Sequence, residues 1–389
     1  MSIDFNNTKV AFHLKSDSDL ERAYFLFKMI SIEPLVRIGT AATNFALKAH
    51  LPVEGLIRST VFDHFCGGVN EMNCLPKITA MYKSGVYSVL DYSVEGKEAE
   101  SHFDDALKKT LELISFSKNY TAMPIAVFKP TGFGRLELYQ KVSEGATLSF
   151  AESEEWERVK NRFRVVCEAG QLNTIKILVD AEESWIQKAV DELILEMMVT
   201  YNTETVTVYN TVQTYRWDRL DYLKSMPLKS QELNFKLGFK IVRGAYMEKE
   251  RLRALELGYK SPICKTKALT DEVFNDSLKF IMANLNSIHP FIGTHNEEST
   301  ALAVRLMEAS KIDNNDKRVW FGQLYGMSDH ISYNLAAKGY NVAKYLPFGP
   351  VKDVMPYLIR RAEENTSVAG QTNRELSLIK KERKRRKIL

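Results

Sequence analysis

The stretch "TIKILVDAEESWIQKAVDELILEMMVTY" (174–201) holds a complete strand–loop–helix unit. Its opening run is apolar or β-branched apart from Lys176, too short for a helix and of the right length for a buried strand. The acidic "DAEES" breaks that run, and from Trp185 onward the apolar residues return at helical spacing. The same texture recurs in "GVYSVLDYSV" (85–94), "MPIAVFKPT" (123–131), "VTVYNTVQTY" (206–215), "GFKIVRGAY" (238–246), "HPFIGTHN" (289–296), "RVWFGQLYG" (318–326) and "NVAKYLPFG" (341–349). Eight strands alternating with helical patterns predict an α/β chain folded as a (βα)8 barrel. The alternative is an open doubly wound sheet, which would carry a Gly-rich dinucleotide turn after its first strand; "GFG" (132–134) is too short to be one.

Outward from the barrel, residues 1–84 read as a helical N-terminal arm, residues 85–370 as the barrel, and residues 371–389 as a basic C-terminal tail. A length of 389 residues with 45% hydrophobic content can bury a large core, which excludes a chain disordered throughout. No apolar run reaches the roughly 18 residues of a spanning helix, and the first residues lack the n- and h-regions of a signal peptide. A cytoplasmic protein is expected, peripheral on the inner face of the cell membrane if the tail binds there. The net charge of +4 is concentrated at the end: "KKERKRRKIL" (380–389) carries +6, which leaves −2 for the rest. Such a block is a solvated tail in its plain reading, and a membrane-binding element in its sharper one. No motif for reading bases accompanies it, so no nucleic-acid partner is expected. Cys66, Cys74, Cys167 and Cys264 fit neither a zinc pattern nor a disulfide framework, and His64 beside Cys66 makes too few ligands for a metal. No metal is expected.

In barrels the chemistry sits at the C-terminal ends of the strands. Here those ends supply Asp91 and Glu95, Lys129, Asp180 with Glu182 and Glu183, Gln213 with Tyr215, Lys240 with Arg243 and Tyr246, Thr294 with His295 and Asn296, and Tyr345. Singly each has a plain explanation, since Asp180 could cap a helix, Gln213 satisfy a loop amide and His295 be a hydrogen-bonded core residue. Together, Lys129, Lys240, Arg243, Arg360 and Arg361 offer more cationic donors than one small carboxylate needs, which suggests phosphate as well. Gly244 and Ala245 would let backbone amides approach such a ligand. Nucleophile elbows, Walker loops and H-E-x-x-H helices are absent, which leaves redox or lyase chemistry on a small anion.

The segments "KIVRGAYMEKER", "FIGTHN", "FGQLYGM" and "KYLPFGPVKDVMPYLIRRAEEN" resemble the proline dehydrogenase family, closest to its eukaryotic-type branch, and the likeness runs in order from about residue 85 to 366. The resemblance implies a distorted (βα)8 barrel that binds FAD and oxidises L-proline to Δ1-pyrroline-5-carboxylate by hydride transfer to flavin N5. It also implies delivery of the electrons to a quinone or other membrane acceptor. By the same resemblance Lys129, Arg360 and Arg361 bind the substrate carboxylate, Asp180 orders that basic cluster, and Tyr246, Leu324, Tyr345 and Tyr357 wall the proline ring. Gln213, Lys240, Val242, Arg243, Gly244, Ala245, Thr294, His295 and Glu364 match FAD contacts, Asp180 and Lys240 being the pair nearest the chemistry. Glu95 matches a partner of Arg360 that gates the site.

Three departures bear on this. Lys240 stands where many bacterial members have arginine, so the charge near flavin N5 is kept but the planar fork is lost. Tyr345 stands where hydroxyproline dehydrogenases, the alternative reading, have a small residue, and it disfavours a 4-hydroxyl. The chain stops soon after the barrel instead of continuing into an aldehyde dehydrogenase domain, so a separate enzyme is expected to take the product. The spacer at 135–172 has no role legible in the sequence.

Overall fold

The structure is a computed structural model that describes residues 3–32, 34, 39, 54–93, 98–367 and 371–388. In chain order its elements begin with α1 Thr8–Ala11, α2 Asp17–Ile30, α3 Glu71–Lys83, β1 Val86–Tyr92, α4 Glu100–Lys118, β2 Ile125–Phe128, α5 Leu136–Glu144, α6 Phe150–Leu172, β3 Lys176–Val179 and α7 Gln187–Tyr201. They continue with β4 Val208–Gln213, α8 Arg219–Glu232, β5 Leu237–Val242, α9 Met247–Leu257, α10 Lys267–Ala283, β6 Ile288–Gly293 and α11 Glu297–Ala309. The last are β7 Trp320–Leu324, α12 Asp329–Ala336, β8 Val342–Phe348, α13 Val351–Ser367 and α14 Gln371–Arg386. The eight strands are hydrogen-bonded in sequence order as a closed barrel. This is the (βα)8 architecture that the alternation of runs predicts.

The chain divides into two compact units, residues 1–95 with 322–389, and residues 96–321. In the first, β1 and β8 run parallel, with Val86 opposite Val342 and Tyr92 opposite Phe348. Val354, Tyr357 and Leu358 of α13 are buried with Phe62 and Phe65 of the helical arm. Ser16 opens α2 with a capping box to Asp19, which satisfies two of the orphan donors at its start.

The segment expected as a solvated basic tail is instead a packed helix. Leu378 and Ile379 of α14 are buried with Phe12, Leu20 and Phe27. Arg383 pairs with Glu21 at 2.6 Å, Arg386 donates to the Lys15 carbonyl at 2.8 Å and to Asp17 at 3.0 Å, and Glu382 accepts from Arg385 and Arg386. The cations that read as solvated are thus partly spent on α2 and on the helix itself, and Lys380, Lys384 and Lys387 remain exposed.

In the second unit β2 to β6 pair in parallel, neighbour by neighbour. The spacer of unassigned role is α5 and α6, the crossover from β2 to β3. Ser149 and Glu152 cap α6 in both directions, and its buried Arg162 donates to Asp104 at 2.7 Å and to the Phe133 carbonyl at 3.0 Å. That second bond pins the turn that follows β2.

Candidate active site

Each strand of the second unit delivers one or two polar side chains at its C-terminal end. Lys240 lies in β5, opposite Thr211 of β4 and Phe291 of β6. Its ammonium is nearly enclosed and donates to Asp180 Oδ1 at 2.6 Å, directly after β3. A buried cation needs such a partner, and the pair fixes where its charge stands.

Arg243, just beyond β5, is held on every side. Nε donates to Asp271 at 2.8 Å, Nη1 to Thr294 Oγ1 at 2.9 Å and Nη2 to Ser299 Oγ at 3.0 Å, and the guanidinium lies over the Phe274 ring at 4.5 Å. Burial works to raise the Asp271 pKa, but hydrogen bonds from Lys267 and Arg243 outweigh it and hold the carboxyl below its ordinary value. Three of the five guanidinium donors are thereby fixed, and the planar fork is oriented before any ligand arrives.

Gly244 follows with φ +132°, and a Cβ there would come within 2.5 Å of the Tyr215 ring. Only glycine fits both the backbone and the space. Ala245 beside it is exposed, Val242 and Tyr246 are half-buried, and Thr294 and half-buried His295 close β6. Gln213, at the end of β4, is buried; its Nε2 donates to the Glu182 carbonyl at 2.8 Å. Its Oε1 has no partner among the described residues, so it stands ready for a donor from a ligand.

Lys129 directly follows β2 and leads into a single 3-10 turn, Pro130–Gly132. Glu182, named only as a strand-end acid in the sequence, holds this turn: Thr131 donates to its carboxylate through N at 2.9 Å and through Oγ1 at 2.8 Å. Burial pushes the Glu182 carboxyl up to about 7, against the pull of Lys129 and of the Thr131 hydrogen bonds. Asp271, Ser299 and Thr131 are the residues that the sequence reading missed. Each works through a partner far along the chain, and no local pattern marks such pairs.

In the first unit Leu324 ends β7, and Tyr345 is buried in β8 with its carbonyl accepting from Tyr325 N at 2.8 Å. On α13, Tyr357 is buried and the Arg361 guanidinium lies 5.2 Å from its ring, as their spacing of one helical turn requires. Arg360 and Arg361 are half-buried. Glu364 lies on the same helix with its side chain outside the described residues, and Glu95 lies outside them altogether.

The chain is similar to known proteins in sequence and in fold. The family model for proline dehydrogenase matches residues 74–374. The carbapenem antibiotics biosynthesis protein CarD of Pectobacterium carotovorum subsp. carotovorum is 37% identical over 351 residues, covering 90% of this chain and 91% of that one. Mitochondrial proline dehydrogenase 2 of Arabidopsis thaliana is 32% identical over 416 residues, covering 95% and 87%. Among solved structures, proline utilization A from Bdellovibrio bacteriovorus, inactivated by N-propargylglycine, superposes with a TM-score of 0.72 at 20% identity. That match covers 92% of this chain and 38% of the longer one, and it shows the same barrel. A family match across the barrel, together with relatives that align nearly end to end, leads to one conclusion: the chain belongs to the proline dehydrogenase family of oxidoreductases, which oxidise proline in proline catabolism.

Proposed function

We propose that the chain oxidises L-proline to Δ1-pyrroline-5-carboxylate with bound FAD and passes the electrons to a quinone-type acceptor. The observation that carries this reading is the enclosed Lys240–Asp180 pair beside Gln213, whose buried Oε1 is left for a ligand donor. Fixed Arg243 and the exposed Gly244–Ala245 backbone suit a nucleotide with phosphates. When bound, FAD supplies the two-electron acceptor.

The residues of the chain bind, orient and balance charge. Lys129, Arg360 and Arg361 take the substrate carboxylate, the arginines by their planar forks. Tyr246, Leu324, Tyr345 and Tyr357 wall the ring, and buried Tyr345 takes the room that a 4-hydroxyl would need, so L-proline is preferred over hydroxyproline. Asp180 acts electrostatically: its carboxylate accepts from Lys240 and keeps that ammonium in place. Gln213, Lys240, Val242, Arg243, Gly244, Ala245, Thr294 and His295 hold the cofactor. The exposed lysines of α14 give an anionic membrane surface something to attract. No helix among the described residues is long and apolar enough to cross a membrane.

The test is a visible spectrum of the purified protein before and after anaerobic L-proline. Flavin bands that bleach support the reading; a colourless protein, or bands that persist, overturn it. Turnover of hydroxyproline equal to that of L-proline would remove the role given to Tyr345.

A further inference from the structure

Glu182 is buried, and its three polar contacts reach both neighbouring strand ends. Its two carboxylate oxygens take the Thr131 N–H and hydroxyl, which fixes the turn carrying Lys129. Its main-chain carbonyl takes Gln213 Nε2, which fixes the orientation of the Gln213 amide and leaves Oε1 outward of that bond. Tyr139 Oη donates to the Pro130 carbonyl at 2.8 Å and Arg162 to that of Phe133, so the turn is held from both sides and Glu182 supplies the only acidic anchor among these bonds.

We propose that Glu182 is a positioning residue for the reaction, setting the substrate-carboxylate lysine Lys129 and the cofactor-facing amide of Gln213 from one buried residue. The inference deepens the function proposed above and rests on it. A carboxylate suits this place because its two oxygens accept from both Thr131 groups at once with the added strength of its charge, whereas a glutamine accepts from the N–H without charge and leaves the hydroxyl to reverse its role. The charged or titratable groups facing Glu182 are Lys129, Glu183 and Tyr139. Of these only Lys129 favours its ionised form. Burial lifts the carboxyl to about 7, so the bond from the Thr131 N–H weakens as pH falls below neutrality.

The test uses the flavin-loaded enzyme and its Glu182→Gln variant. The KM for L-proline should rise about tenfold while kcat changes by less than about threefold and flavin content holds, the loss of one charge-assisted hydrogen bond at a positioning residue. In the parent enzyme KM should climb below about pH 7, and this limb should be missing from the variant. Thr131→Val, which replaces the hydroxyl by a methyl and keeps the N–H, should raise KM about threefold. Unchanged kinetics in both variants overturn the inference, and so does a joint fall of melting temperature and flavin content with KM unmoved. If Glu182→Gln does not fold, Thr131→Val decides by the same criterion. A parent enzyme that L-proline does not bleach overturns the functional reading itself, whereas a bleaching parent with unaltered variants overturns only the role of Glu182.

Discussion

Replacing Arg361 by Met should raise the KM for L-proline roughly 10- to 100-fold, the span expected for losing hydrogen bonds to a charged group, with flavin content nearly unchanged. Equal loss of both would make the residue structural, through its stacking on Tyr357. Glu182 also carries a stability signature. Its carboxyl ionises near 4.5 when unfolded but only near 7 when buried, so the unfolded chain releases the proton first and stability declines as pH rises between those values. The shift corresponds to roughly 3 kcal/mol, and urea melts of the parent across pH 4.5–7.5 should show a decline that Glu182→Gln lacks. The same charge that anchors Thr131 therefore costs folding energy. At this scale the sequence exposed the residues that end strands, such as Asp180, Gln213 and Lys240. It concealed their partners: Thr131 and Glu182 meet through the fold, as do Arg243 and Asp271, and nothing in their spacing marks the contact.

Among elements, the strands were legible because each is a short apolar run with a polar stop, although the ladders are shorter than the runs. The run at 123–131 yields only Ile125–Phe128, since Pro124 and Pro130 lack the N–H a ladder needs. The C-terminal helix was not legible. Seven cations in ten residues read as a solvated segment until the carboxylates of α2 and of Glu382 are placed beside them. Leu378→Ala should destabilise the chain by about 2–5 kcal/mol, the range for a fully buried leucine. A thermal melt checks it, and no measurable shift would mean that α14 is not held through its apolar side. Liposome binding separates the two uses of this helix: substituting exposed Lys380, Lys384 and Lys387 should weaken binding to anionic vesicles and leave the melt unchanged. Vesicle binding that is indifferent to these lysines removes the membrane role.

For the molecule as a whole, the count of eight alternating units carried the barrel, and the chain groups into two compact units. The second unit is one continuous segment, 96–321, but the first is assembled from residues on both sides of it. Of the strand pairs, β1–β8 has the longest reach, since Val86 must find Val342. During synthesis, β1 leaves the ribosome long before β8 exists, while β2 to β6 can zip up with neighbours already made. The edge of nascent β1 that β8 will cover is then left open, a natural client for chaperones. Pulsed hydrogen exchange during refolding should find protection in β3–β5 before β1, and simultaneous protection would mean that the chain closes in one step.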